Sequence, residues 1–424
     1  MNHGKFLSLP GVGSQGAARV CRFSSPTGWA AWHRLGVARR NTAVGDDVND
    51  GVNRRAVDRE SEGGRGGAPE APSDRRARHL AALGPEQARF RNLIGKVGSG
   101  EHTSTGLTRE EAREAMALML SGTLDPVQLG AFLIAHRIRR PSTEELCGML
   151  DTFQAQGPKL TTPGRRALCF GVPYDGRSRT APVLPLVALT LAAAGVPVVL
   201  HGSGPMPVKY GVTLAELFAA LGIAWEGLSL EAVQERLDHH HLALTHQPRH
   251  FPAAEALVPI RDLIGKRPPV ASLELLWTPH HGDHLVVSGF VHPPTEPRAW
   301  DTLRLAGERE VLTIKGLEGS TDLPTNRPGI AGRMRGDTTE RLELQPRSHG
   351  LSAPEVAWEG LDAWRPQAME GLRGEGPLAQ ALLWNLGCLL WQADQAPNLE
   401  EGLEQARALV AGQAGEGCRQ ALAA

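Results

Sequence analysis

Apolar positions along this chain follow two different periods, and a third stretch follows none. Between about residues 88 and 160 they recur every three or four residues, the spacing of one buried helix face. From 167 onward they gather into short runs separated by helical stretches, the alternation of an α/β unit around a central, mostly parallel sheet. Residues 1–84 show no apolar period and are rich in Gly, Arg, Ser and Pro. Such a segment buries too little apolar surface to offset its ordering entropy. It is expected to be a disordered or extraneous extension, followed by a helical domain over 85–160 and an α/β domain over 165–424.

Helix starts carry readable chemistry. Thr108 with Glu111, and Ser142 with Glu145, have the spacing at which a hydroxyl and a carboxylate each satisfy an orphan backbone N–H. Ala112, Ala115, Met116 and Met119 follow the first pair until Ser121-Gly122; Leu146, Met149, Leu150 and Phe153 follow the second. Asp125-Pro126 opens a helix between them. Further on, strands are predicted over 167–170, 196–200, 285–291 and 311–314, and helices over 183–194, 214–221 and 231–237. Asn398 with Glu401 starts a last helix carrying Leu403, Ala406 and Leu409.

Composition changes this picture mainly by exclusion. A formal net charge of -1 gives no whole-chain signal for nucleic acid or membrane, although a basic patch can hide inside a balanced total. No apolar run approaches the roughly 20 residues that span a bilayer, so no membrane partner is expected. The five cysteines are odd in number and lack C-x-x-C spacing, which points to a reducing compartment, the cytoplasm. The first 45 residues hold Lys5, Arg19, Arg22, Arg34, Arg39 and Arg40 without an acid. That suits an organelle transit peptide, a misplaced start or a disordered tail.

Two loops are candidates for chemistry. Phe170-Gly171-Val172-Pro173-Tyr174-Asp175-Gly176 follows a predicted strand, where α/β sheets bind ligands and glycines let amides approach phosphate; an ordinary turn reads the same way. Leu200-His201-Gly202-Ser203 follows the next strand and can face the same crevice, with His201 as a donor or as a structural hydrogen-bonder and Lys209 as a point charge. His239-His240-His241 ends a predicted helix, and His280-His281-Gly282-Asp283-His284 has no second cluster at metal-site spacing, so both are expected to be solvated.

Three separated segments, GVPVVLHG at 195–202, LTREEAREAMALMLSGTLDPVQLGAFLIAHRIRRPSTEEL and NLEEGLEQARALV, resemble anthranilate phosphoribosyltransferases and the related nucleoside phosphorylases, in sequence order over about 88–412. The resemblance implies a small helical domain on a larger α/β domain, phosphoribosyl diphosphate with Mg2+ in the cleft between them, and a homodimer through the N-terminal helices. It matches Arg261 to the family's arginine for the aromatic acid. Loops and resemblance together give an expected ligand set of Gly171, Asp175, Gly176, His201, Gly202, Lys209 and Arg261, with Asp322 and the nearby Glu318 for metal. The motifs depart from the family pattern. Gly171-Val172-Pro173-Tyr174-Asp175 stands for Gly-Thr-Gly-Gly-Asp, Leu200-His201-Gly202-Ser203 for Lys-His-Gly-Asn, and Thr321-Asp322 for Asp-Glu; Pro173 has no N–H for a phosphate.

Two functions follow. Pentosyl transfer to an unidentified acceptor relies on amides, cations and magnesium to stabilise an oxocarbenium-like transition state, and the departures touch all three. Orthodox anthranilate activity is therefore disfavoured, and no catalytic residue is assigned. The alternative is implied by a further resemblance: in these altered loops the chain is similar to a diverged branch of the family associated with dimers that bind nucleic acid, which implies a non-catalytic, nucleic-acid-binding homodimer on the same fold. Arg327, Arg333, Arg335, Arg341 and Arg347 would then track phosphates, although the interleaved Asp337, Glu340 and Glu343 equally suit a solvated face.

Overall fold

A computed structural model describes residues 20–22, 71–100 and 102–424. The chain forms two compact units, Met1–Arg22 with Pro85–Ala424, and Phe23–Gly84. In the second, the described residues carry the helix Pro72–Ala81, with Asp74 in its first turn. Val20–Arg22 is a strand of the first unit. The expected lack of order in 1–84 therefore does not hold for these residues; the remainder of that segment lies outside the described residues. The helix has Pro at its first position and an acid in its first turn, both local start signals, and an edge strand pairs through backbone groups. Neither needs the apolar period whose absence suggested disorder.

The helical part consists of Pro85–Gly98, Arg109–Leu120, Pro126–Arg139 and Thr143–Gln156. All three expected caps form. Glu111 N donates to Thr108 Oγ1 at 3.2 Å, Val127 N to Asp125 Oδ1 at 2.8 Å, and Glu145 N to Ser142 Oγ at 3.2 Å. Glu145 does more than cap. Its buried carboxylate also accepts from Leu107 N at 2.8 Å, pairs with Arg139 and lies 3.6 Å from the His136 ring, tying three segments to one point.

The strands among the described residues are β1 (Val20–Arg22), β2 (Leu160–Thr161), β3 (Ala167–Gly171), β4 (Val198–Gly202), β5 (Leu242–His246), β6 (His280–His281), β7 (His284–Gly289), β8 (Glu310–Ile314), β9 (Gly329–Arg335) and β10 (Thr338–Leu344). Eight of them make one sheet in the order β1-β10-β9-β8-β7-β3-β4-β5. From β8 to β5 all neighbours are parallel; β9, β10 and β1 extend the sheet antiparallel. Both faces are covered. Leu285 and Val287 of β7 enter one core with the helices Leu184–Ala193 and Ala379–Gln392, whereas Val286 between them enters a second core with the helical domain. β5, β9 and β10 were not predicted. β9 and β10 form a hairpin around Gly336-Asp337, and their arginines mask the alternation.

Chain order places the ligand crevice. β3 is followed by β4 and β5 on one side, and the chain then returns to lay β7 and β8 on the other. The switch point thus lies between β3 and β7, and the loops after β3, β4, β5 and β8 converge at its carboxyl end.

Burial by itself would push the Glu145 carboxyl up, but His136, the Ser142 amide and Arg139 outweigh it and hold the group at about 2, against an ordinary 4.5. Because the folded value lies below the unfolded one, this contribution is complete above about pH 4.5 and is lost as pH falls towards 2. Glu145→Ala is expected to cost about 3–5 kcal/mol in urea denaturation at neutral pH, since it leaves buried partners uncompensated, and to flatten the acid limb of the stability curve. A wild-type acid limb in the variant would show that Glu145 is not the tie.

Candidate functional site

The switch-point crevice is filled by charge of both signs. Asp175, in the loop after β3, has no solvent exposure. Arg267 contacts it, Lys209 Nζ lies 3.8 Å away and Arg261 NH2 lies 4.0 Å away. Arg261 is also paired with Glu274, whose other oxygen accepts from Tyr174 N at 3.1 Å. On the far side of the loop, Arg177 NH1 donates to Asp322 at 2.5 Å, while its Nε lies 3.4 Å from Glu318. Arg177, Lys209, Arg261 and Arg267 are thus matched by Asp175, Glu274, Glu318 and Asp322, four cations to four carboxylates. This inner set carries no net charge.

Glu318 occupies a donor nest. Its carboxylate accepts from the backbone N–H groups of Ser178 at 3.1 Å, Arg179 at 3.0 Å and Thr180 at 3.0 Å, and from the Thr180 hydroxyl at 3.0 Å. Burial opposes the charge, but the three amides and Arg177 prevail and hold the carboxyl at about 2. Asp322 Oδ2 accepts from Val183 N at 3.0 Å besides Arg177.

The expected ligand residues do gather here, in other roles. A Cβ on Gly171 would lie 2.2 Å from the Leu275 carbonyl oxygen, and one on Gly176, whose φ is +75°, 2.4 Å from that of Gly211. These glycines admit the chain's own backbone rather than a phosphate. His201 is buried, its Nδ1 2.5 Å from the Tyr174 hydroxyl, which accepts from the Trp277 indole N–H at 3.1 Å. Burial lowers His201 to about 3, so the ring is a neutral structural partner. Gly202 lines a cavity of about 30 Å³, and Arg261 a second of about 20 Å³. Both are far below the several hundred Å³ of a typical ligand pocket. Lys209 donates to Gly176 O at 2.6 Å. Arg177, Arg267, Glu274 and the 178–180 amides were missed; arginines at 177 and 179 directly after the first loop were the available signal.

Elsewhere, Arg333 pairs with Glu310, Arg335 with Asp394 at 2.8 Å and Arg341 with Glu296 at 2.6 Å, so three of the five arginines proposed to track phosphates are held by carboxylates. His280 is buried, not solvated, and lies 2.9 Å from the Thr162 hydroxyl. It lines a cavity of about 660 Å³ at the amino ends of β7 and β8, opposite the crevice.

The helical bundle model of a glycosyl transferase family matches residues 91–157, and that family's α/β domain model matches 178–415. The chain belongs to this glycosyl transferase family. An uncharacterized protein of Aquifex aeolicus (strain VF5) is 30% identical, over 70% of this chain and 91% of its own length. An anthranilate phosphoribosyltransferase of Rhodopseudomonas palustris (strain BisA53) is 28% identical over 74% and 91%. The crystal structure of anthranilate phosphoribosyltransferase from Thermus thermophilus matches with a TM-score of 0.66 at 25% identity, covering 78% of this chain and 98% of that one. The Saccharomyces cerevisiae enzyme in complex with PRPP and Mg shares the fold, with a TM-score of 0.68 at 16% identity. The anthranilate phosphoribosyltransferase-like family and its two-domain fold, implied by the sequence, both hold.

A divalent cation does not fit between Glu318 and Asp322 as they stand in this family member. Both carboxylates face the Arg177 guanidinium, a permanent cation, and their remaining hydrogen bonds come from backbone N–H groups and the Thr180 hydroxyl. Among the described residues no group of three or more His, Cys, Asp or Glu could hold a metal.

Arg261 follows the same logic of internal pairing. Arg261→Ala is expected to cost about 3–5 kcal/mol of stability by denaturant titration, because it strands Glu274 in the interior. Arg261→Lys should recover only part, since an ammonium cannot reach Glu274, Asp175 and Met206 with one planar group. An unchanged midpoint for Arg261→Ala would mean that the pair is dispensable.

Proposed function

We propose that this chain is a non-catalytic, nucleic-acid-binding homodimer on the glycosyl transferase fold rather than a magnesium-dependent phosphoribosyl transferase. The observation that carries this reading is the contrast between the crevice and its rim. Inside, each cation has a carboxylate. On the rim, Arg137, Arg140 and Lys266 are exposed, and none is paired with a carboxylate among the described residues. Arg137 Nε donates to Arg267 O at 2.9 Å, which sets it beside Lys266, and Arg140 follows three residues along the chain. Tyr210, 55% exposed on the loop after β4, interacts with Asp262 on the same segment as Lys266 and offers a stacking surface for a base. Exposed cations beside an exposed ring are what a phosphate backbone with accessible bases requires.

Support for two copies comes from helix Pro126–Arg139, where Val127 and Ile138 are 79% and 73% exposed. With Ala131 and Ile134 they share one helix face, an apolar stripe that a second copy would cover. Pentosyl transfer to an unidentified acceptor is the competing function. It would appear as diphosphate release from phosphoribosyl diphosphate in a screen of aromatic acids with magnesium.

Fluorescence anisotropy with a single-stranded oligonucleotide, on protein whose dimer mass is checked by light scattering, decides between the two. Affinity is expected to fall steeply with salt, and each of Arg137→Ala, Arg140→Ala and Lys266→Ala to reduce the slope of log affinity against log salt by about 0.7. Tyr210→Ala should weaken binding by about 1–3 kcal/mol. No oligonucleotide binding, together with diphosphate release in the screen, would overturn this function in favour of transfer.

A further inference from the structure

We infer that the cavity at the amino ends of β3 and β4 is a site for a small carboxylic acid with an apolar body, its carboxylate on the Arg165 guanidinium and its hydrocarbon on the cavity floor. The site lies at the opposite end of the sheet from the crevice and contains none of the rim residues. Three observations carry it: an arginine left without a carboxylate, a rigid turn that presents this arginine, and the mixed lining of the space beside it.

Charge matching leaves Arg165 over. Its neighbour Arg166 lies 3.2 Å from Asp283 and 3.2 Å from Asp394, and Asp394 also meets Arg335 at 2.8 Å, so two arginines share two carboxylates. Arg165 has no carboxylate partner among the described residues; its NH1 lies 3.1 Å from both Nδ1 and Nε2 of the His241 ring. Burial and the adjoining guanidinium both lower His241, so at neutral pH the ring is uncharged. One positive charge therefore stands in excess at the mouth of the cavity, and a monoanion would neutralise it.

The backbone that carries this guanidinium is fixed. Thr162-Pro163-Gly164-Arg165 is a turn closed by Arg165 N donating to Thr162 O at 3.1 Å, with Pro at its second position and Gly164, φ +70°, at its third. The Thr162 hydroxyl donates in return to Arg165 O at 2.8 Å. Both backbone groups of Arg165 are thus held two residues before β3 begins. NH2 passes Gly195, where an added Cβ would stand 3.5 Å away, so the glycine leaves that nitrogen open. The cavity beside it measures about 240 Å³. Arg165 and Arg166 line one part, and Leu168, Val196, Pro197 and Ala393 supply an apolar floor. A phosphate would use the arginines and leave the floor in water, whereas a carboxylate with a hydrocarbon body uses both. A volume just below the several hundred Å³ of drug-sized sites suits an acid of about four to six carbons.

Isovalerate is the probe, added to the 15N-labelled full chain at neutral pH and followed by calorimetry and amide resonances. It is expected to bind with a Kd on the order of millimolar or below and to shift Gly195, Val196 and Gln395 together. Acetate, which lacks most of the hydrocarbon, should bind roughly tenfold more weakly or worse, because each buried CH2 is worth about fourfold. Arg165→Gln should weaken isovalerate by roughly tenfold or more. Gln395→Glu sets a competing carboxylate on the cavity lining and should weaken it as well, with Arg165 intact. Both side chains are exposed, so the variants keep the fold, which circular dichroism checks. Acetate binding as well as isovalerate, or inorganic phosphate binding more tightly, would reduce the site to an adventitious anion on a surface arginine and overturn the inference. Isovalerate that does not bind wild type, that binds Arg165→Gln undiminished, or that leaves the Gly195, Val196 and Gln395 amides unmoved would overturn it equally.

Discussion

The crevice of this protein depends on one buried guanidinium. Arg177 joins the loop after β3 to the loop after β8, with Asp322 on one nitrogen and Glu318 beside another. A guanidinium stays charged at any relevant pH, so its burial requires carboxylates that stay ionised with it. Glu318 meets that requirement through the amides of Ser178, Arg179 and Thr180, and Asp322 through the amide of Val183. Removing any one member would leave the others as uncompensated charge in a crevice with no room for bulk water. The loops after β3 and β8, which flank the switch point, are closed on each other by this network.

Electrostatic matching then separates this chain from what its fold alone suggests. In a site built to receive a diphosphate, cations and amides wait unpaired for an anion. Here Asp175 stands among Lys209, Arg261 and Arg267, and Glu318 stands on the amides, so the protein supplies both partners itself. Under the proposed function, a polyanion is instead met outside the crevice, at Arg137, Arg140 and Lys266, where long side chains keep their charge in solvent. Family membership fixes the scaffold, and these side chains decide what the scaffold can hold.

Much of this was legible in the sequence, and the parts that were not share a physical reason. Helix caps are local, so Thr108, Asp125 and Ser142 could be assigned from spacing alone, and the apolar runs at 167–170 and 311–314 became β3 and β8. Strand β5 follows three histidines that close the preceding helix and was lost in that boundary. The hairpin of β9 and β10 carries Arg333, Arg335 and Arg341 at positions where the sheet edge meets acids from other elements, so it read as a basic stretch. At the site, the loops of Gly171 and His201 were found, but their function depends on partners distant in the chain: Leu275 for Gly171, Trp277 and Tyr174 for His201, Glu274 for Arg261. No spacing rule reports such pairings. Pairing also reverses meaning, because an arginine beside a loop reads as a ligand until its carboxylate is seen.

The most direct measurement of internal neutralisation is the titration of the Glu318 side-chain carboxyl carbon by NMR in protein carrying 13C-labelled glutamate. If the amides and Arg177 hold this group as described, its resonance stays at the ionised position when pH is lowered to one unit below the ordinary glutamate value, where a carboxyl in solvent is mostly protonated. A Glu318 resonance that titrates at the ordinary glutamate value would show a carboxylate in solvent and a vacant nest, and would contradict the claim that the chain neutralises its own crevice.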